Sequence, residues 1–160
     1  MAATPEPEPE PPPPAAPPGV AFPPAPGARQ AQLNASAGLL AGLAYTKTQG
    51  RRLEEFVAFA GRQFVAVWGD LSGTGPAAVA RAAALQMAAL GAPRHALGGD
   101  AARAEAVLGP WPPPELAGFA GLSAAECDAV YGLFGLIAAR LGLRFVWRRE
   151  GERVVLEFAR

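Results

Sequence analysis

The sequence predicts an α+β fold, with helices packed on one face of a small antiparallel sheet, behind a disordered proline-rich N-terminal tail. Three observations carry this. Ser123 to Leu141 has the capping and apolar spacing of one amphipathic helix. Leu143 to Arg149 and Glu152 to Phe158 alternate as two strands around Glu150-Gly151. Twelve of the 18 prolines fall in the first 26 residues, and a segment so poor in backbone donors and apolar side chains cannot offset the entropy of ordering itself. Residues 1–30 are therefore assigned to the tail and residues 31–160 to a single domain, a normal size for one core.

The elements follow in order. Leu33 to Thr48 is the first predicted helix, with Leu39, Leu40, Leu43 and Ala44 as its stripe. Gly38 and Gly42 weaken it by about 1 kcal/mol each relative to Ala, or allow a second helix to approach closely. Gln49-Gly50 interrupts the pattern. Arg51 to Trp68 is a stronger helix, with Leu53, Phe56, Val57, Ala60, Phe64, Val67 and Trp68 on one side. Gly69 to Gly75 reads as a loop. Pro76 opens a third helix, whose stripe is Val79, Ala83, Met87 and Leu90 and which Gly91 and Pro93 end. Pro93-Arg94-His95 and Gly98-Gly99-Asp100 read as turns, and Ala102 to Leu108 as a short segment open to a strand assignment. Gly109 to Pro114 (GPWPPP) is a stiff connector pinned by Trp111.

The closing helix begins with a capping box, Ser123-Ala124-Ala125-Glu126. Cys127, Val130, Tyr131, Phe134, Ile137, Ala138 and Leu141 form its stripe, and Gly142 supplies a left-handed stop. With Glu150-Gly151 as the hairpin turn, Trp147 is expected to face Val154, Phe145 to face Leu156 and Leu143 to face Phe158, all on the core face. The other face then shows Arg144, Val146, Arg148, Arg153, Val155 and Glu157, with the two valines exposed.

Formal net charge is zero, and residues 31–160 carry 11 acidic and 13 basic side chains, a balance too small to imply a nucleic-acid partner. No uncharged apolar run reaches the roughly 20 residues that span a bilayer, and the N-terminus lacks a secretory pattern. A cytoplasmic protein without a membrane span is the expectation. With one cysteine, no internal disulfide can form.

A search for chemistry returns little. His95 is the one histidine and Cys127 the one cysteine; a zinc site wants several such ligands at short spacing, so no metal site is expected. Cys127 lies in the first turn of a helix, where the dipole favours thiolate. It equally belongs to the apolar stripe, which would leave it buried and inert. The loop Gly69-Asp70-Leu71-Ser72-Gly73-Thr74-Gly75 precedes a helix, as anion-binding loops do, but has no P-loop lysine and follows no predicted strand. The six arginines between Arg140 and Arg160 are interleaved with Glu150, Glu152 and Glu157, a solvated hairpin rather than an anion site. Trp68, Cys127, Tyr131, Phe134, Phe145 and Trp147 point at the predicted core, where they either fill it or line an apolar ligand pocket. No catalytic residue and no cofactor is assigned.

The C-terminal part, residues 100–160, resembles the 4-vinyl-reductase-like and L-2-amino-thiazoline-4-carboxylate-hydrolase-like group, which shares the fold of TRAPP vesicle-tethering subunits. The resemblance rests on Glu126-Cys127-Asp128 entering a long helix and on the hairpin strand Gly151-Glu152-Arg153-Val154-Val155-Leu156-Glu157-Phe158. The second cysteine of ligand-binding members is missing after Gly151. What the resemblance implies is a mixed domain that homodimerises and encloses a small apolar ligand. A non-enzymatic ligand-binding or protein-interaction domain is the expected function. The alternative is a hydrolase related to the thiazoline group, with Cys127 and Asp128 near its site. A third reading is an adaptor whose proline-rich tail is bound by a partner domain.

Overall fold

A computed structural model describes residues 27–71 and 73–160; the expected tail lies almost wholly outside the described residues. The chain runs α1 (Ala28–Thr48), α2 (Leu53–Val67), α3 (Pro76–Ala89), β1 (Arg94–Gly99), β2 (Arg103–Leu108), α4 (Ala124–Asp128), α5 (Leu133–Arg140), β3 (Arg144–Glu150) and β4 (Arg153–Ala159). The strands form one antiparallel sheet in the order β1-β2-β4-β3. The helices cover one of its faces, as the α+β reading expects.

α1 starts at Ala28, inside the stretch assigned to the tail. Its first turn is held by Arg29, whose guanidinium grips Glu115 beyond the proline connector at 2.7 Å. That long-range partner leaves no local sequence signal. Leu40, Leu43 and Ala44 are buried. Gly42 acts as a contact point: a Cβ there would run into the Phe56 ring of α2. Val57 and Ala60 of α2 and Trp68 just after it are buried as expected, but Val67 is 72% exposed. The helix ends at Val67, so that residue leaves the stripe while Trp68 turns inward. Gly61 and Gly132 seat α2 closely against the C-terminal helical segment, where added Cβ atoms would meet Leu136 and Val57.

α3 begins at Pro76 with Gly75 as its N-cap. It lies on β1, β2 and β4. Ala80, Ala83 and Ala84 of α3 and Ala104 and Ala106 of β2 are all at most 1% exposed, and these small side chains let the layers pack closely. Trp111 pins the connector. It is 2% exposed, and its indole N–H donates to the Ser36 hydroxyl at 3.0 Å, which in turn donates to the Leu90 carbonyl at 2.6 Å.

The β1–β2 hairpin is the main departure from expectation. His95 is the extra residue of a β-bulge between Arg94 and Ala96, not part of a turn, and Gly98 and Gly99 belong to the strand. β1 is exposed throughout and has no apolar alternation. Backbone geometry holds it instead. The Pro93 carbonyl accepts from Gly109 N–H at 2.6 Å, and Asp100 Oδ1 accepts from the amides of Ala102 and Arg103.

The predicted single helix from Ser123 is present as α4, a 3₁₀ turn over Ala129–Gly132, and α5. The capping box forms as read from the sequence, and Gly142 takes φ +73° at the stop. The hairpin register differs by two residues: Trp147 faces Leu156 and Phe145 faces Phe158. The loop is Gly151-Glu152, with Gly151 at φ +61°. Placing glycine first spares Glu150 the positive φ that the expected turn demands of it. A shift of two preserves the faces, so the expected side chains still point at the helices. On the opposite face Val146 is exposed but Val155 is only 2% exposed. Arg148, paired with Val155 across the strands, reaches over it to Glu105 on β2 at 3.4 Å. Arg103, Glu105, Arg148 and Glu157 thereby interlock over the sheet.

Candidate functional site: a groove between α1 and α2

Two places concentrate functional groups. The first is a groove between the end of α1 and the start of α2. After Thr48 the chain reverses through Gly50 at φ +65°, with Gly50 N–H bonded to Lys47 O and Arg51 N–H to Thr46 O. This reversal splays the two helices. Because Gly42 has no side chain, Phe56 lies down on α1 and forms the groove floor. Phe59, 57% exposed, and Tyr45, 67% exposed, stand at its sides, and Gln49, Arg51 and Arg62 rim it. The space amounts to about 760 Å³, within the range of ligand clefts.

The groove's polar character is one-sided. The Thr46 hydroxyl donates back to Gly42 O, and Arg51 is paired with Glu55 at 2.8 Å. Among the described residues the side chains of Tyr45, Gln49 and Arg62 make no internal hydrogen bond. The site thus offers hydroxyl, amide and guanidinium donors beside aromatic faces. Neither the groove nor Tyr45, Phe56, Phe59 and Arg62 was expected from the sequence as a site. The available signal was Tyr45 and Phe59, large aromatics off the apolar stripes of their helices.

The second place lies beneath β3. Arg149 grips Asp128 with both carboxylate oxygens engaged, Nε–Oδ2 at 3.0 Å. Tyr131 is fully buried and packs against Trp147 in a tilted arrangement, with ring centroids 5.3 Å apart; its hydroxyl has no hydrogen-bond partner among the described residues. Burial, then the Asp128 charge, pushes the Tyr131 phenol up, which keeps it protonated. Cys127 is 2% exposed. Burial raises its thiol, and the charges of Asp128 and Glu126 add to the rise. These effects oppose the dipole argument for a thiolate. Glu126 is held well below the usual carboxylate range, at about 2, first by the Lys47 ammonium and then by Ser123. It ties the start of α4 to the end of α1.

The six residues expected to line an apolar pocket form two packed strings. Trp68 meets Phe134 edge-on at 6.0 Å, Phe134 meets Phe145 at 6.2 Å, and Phe145 continues to Phe158 at 5.1 Å. Tyr131 and Trp147 make the second string, with Cys127 one helical turn before Tyr131. The open space beside Trp68 and Phe134 is about 20 Å³, room for one water rather than an organic ligand. His95 stands exposed on the edge strand, while Cys127 is buried at the start of α4. In the glycine-rich loop before α3, the Thr74 hydroxyl donates to Leu71 O. Among the described residues no cluster of three or more His, Cys, Asp or Glu side chains could hold a metal, and no helix is long and apolar enough to cross a membrane.

No protein-family model matches the chain, and neither the curated proteins nor the solved structures yield a match.

Proposed function

We propose that this chain is a non-enzymatic binding domain of the 4-vinyl-reductase-like, TRAPP-like type, and that it recognises an extended, proline-containing peptide in the groove between α1 and α2. The observation that carries this reading is the groove itself, where exposed Tyr45 and Phe59 stand beside donors that have no internal partner among the described residues. Proline rings pack on aromatic faces, and a proline-containing backbone is rich in acceptors and poor in donors. Aromatic walls with surplus donors suit that chemistry. The order of a capped helix followed by a β-hairpin supports the TRAPP-like type. The buried, up-shifted Cys127 and the Asp128 locked to Arg149 favour binding over hydrolysis.

The test is a titration of the isotope-labelled full-length chain, with its own residues 5–14 replaced by glycine and serine so that they cannot fill the groove, with an excess of the free peptide PEPEPEPPPP, and with a glycine-serine peptide of equal length. We expect saturable NMR shifts confined to Tyr45, Gln49, Phe59 and Arg62 with the first peptide alone, abolished by Tyr45→Ala/Phe59→Ala. Both substituted side chains are exposed, so folding should survive. Shifts elsewhere, or none, would overturn the reading.

A further inference from the structure

The tail of this chain has the chemistry the groove lacks. In residues 5–14 seven of the ten positions are proline and the other three are Glu6, Glu8 and Glu10. Prolines donate no backbone hydrogen bond but keep their carbonyls. Such a stretch therefore offers ring faces, carbonyl acceptors and three negative charges, with few donors. The groove offers the converse set. Tyr45, Phe56 and Phe59 present aromatic faces, Gln49 and the Tyr45 hydroxyl can donate, and Arg62 has no ion pair among the described residues. Arg51 is shared with Glu55, so the rim has a net positive balance of one.

Reach permits the contact within one molecule. α1 begins at Ala28 and the groove opens near Tyr45. At 1.5 Å rise per residue that separation is about 26 Å along the helix axis. Residues 15–27 connect the acidic prolines to α1, and at roughly 3.1 Å per residue an extended connection spans about 40 Å. The segment can therefore fold back along α1 with slack. A connection of this length holds its segment at an effective concentration on the order of millimolar, so a site too weak to hold a free peptide can still be filled.

We propose that residues 5–14 dock in cis in the α1–α2 groove, stacking prolines on Tyr45 and Phe59 and placing the glutamates toward Arg62. Resting on the binding reading above, this makes the tail a built-in competitor: an external proline-rich partner must displace it. Phosphorylation is not needed for such a switch; competing peptide or added salt suffices.

The experiment uses the full chain carrying Ala15→Cys, labelled with a nitroxide at that position while Cys127 stays buried. Wild type exposed to the same reagent is the control. In cis docking predicts that the amide signals of Tyr45, Gln49 and Phe59 lose most of their intensity, and that signals from the outer sheet face keep theirs. Tyr45→Ala/Phe59→Ala should restore the signals fully, and Glu6→Gln/Glu8→Gln/Glu10→Gln should restore them in part. A mixture of spin-labelled, isotope-free chains with isotope-labelled wild type should show no loss. Equal loss in that mixture would overturn the inference by assigning the groove to a second copy's tail. Unbroadened groove signals in the full chain would overturn it too. In that case a free peptide that still binds the groove leaves the binding reading standing, and one that does not removes both.

Discussion

The two hairpins of the sheet share one ladder yet are held by different means. β3–β4 is held by what it buries: Val154, Leu156 and Phe158 are at 0% exposure, with Phe145 and Trp147 packed beside them. β1–β2 is held by its backbone: β1 buries none of its six residues, and its fit depends on a bulge at His95, the Asp100 turn and Gly99. The difference teaches that strand formation has two independent sources. Burial of an alternating side-chain face is written in sequence pattern, whereas completion of a ladder by a polar edge strand is written in its neighbour.

Truncation at the core face should separate the hairpins most. Phe158→Ala is expected to cost about 3–5 kcal/mol, through lost transfer energy and a cavity beneath Phe145. Leu97→Ala on β1 removes a side chain already 42% exposed and should cost under about 1 kcal/mol. Urea unfolding with a common slope measures both. Comparable losses would mean that β1 is part of the core in solution and would erase the contrast.

The same difference explains which features the sequence exposed. α1 to α3, the capping box, the Gly142 stop and β4 were legible, because each rests on local spacing or on a residue with a special φ. The core side of β3 and β4 was legible even though the pairing was not, since a shift of two leaves the faces unchanged. β1 was missed because RHALGG has neither alternation nor β-branched residues, and its two glycines and histidine mimic turns. The early start of α1 comes with a contact between Arg29 and Glu115, 86 positions away. The buried state of Val155 depends on Arg148 crossing β4. The groove escaped notice for a related reason: it is made by Gly42 letting Phe56 settle, and a sequence reveals a glycine but not what lies on it.

If β1–β2 is held by backbone geometry, one methyl group should damage it. Gly99 has φ +122°, and a Cβ there would run into the Arg103 carbonyl and the Ala104 Cα, backbone atoms that cannot swing aside. Gly99→Ala should therefore cost about 3 kcal/mol despite an exposed position, the sum of positive-φ strain and a forced shift of the turn. Hydrogen exchange should show the loss concentrated in the β1–β2 amides. A cost below about 1 kcal/mol would show that β1 can detach without penalty to the rest.

The smallest effect tests the underside of β3–β4. Tyr131 is fully buried beside the Asp128–Arg149 pair, and its hydroxyl has no partner among the described residues. Burying an unbonded hydroxyl costs about 1–3 kcal/mol, and removing it while keeping the ring removes that cost. Tyr131→Phe should leave the ring contact with Trp147 intact and stabilise the domain by about 1 kcal/mol, a rise of a few degrees in Tm. Destabilisation of similar size would instead show that the hydroxyl donates in solution, with the Asp128 carboxylate, whose charge already acts on the phenol, as the candidate acceptor. The hairpin underside would then be a polar network rather than an oily floor with one isolated ion pair. The double variant Tyr131→Phe/Arg149→Leu decides between these. An oily floor gives additive effects, because the hydroxyl and the ion pair are independent. A network gives a coupling energy on the order of 1 kcal/mol.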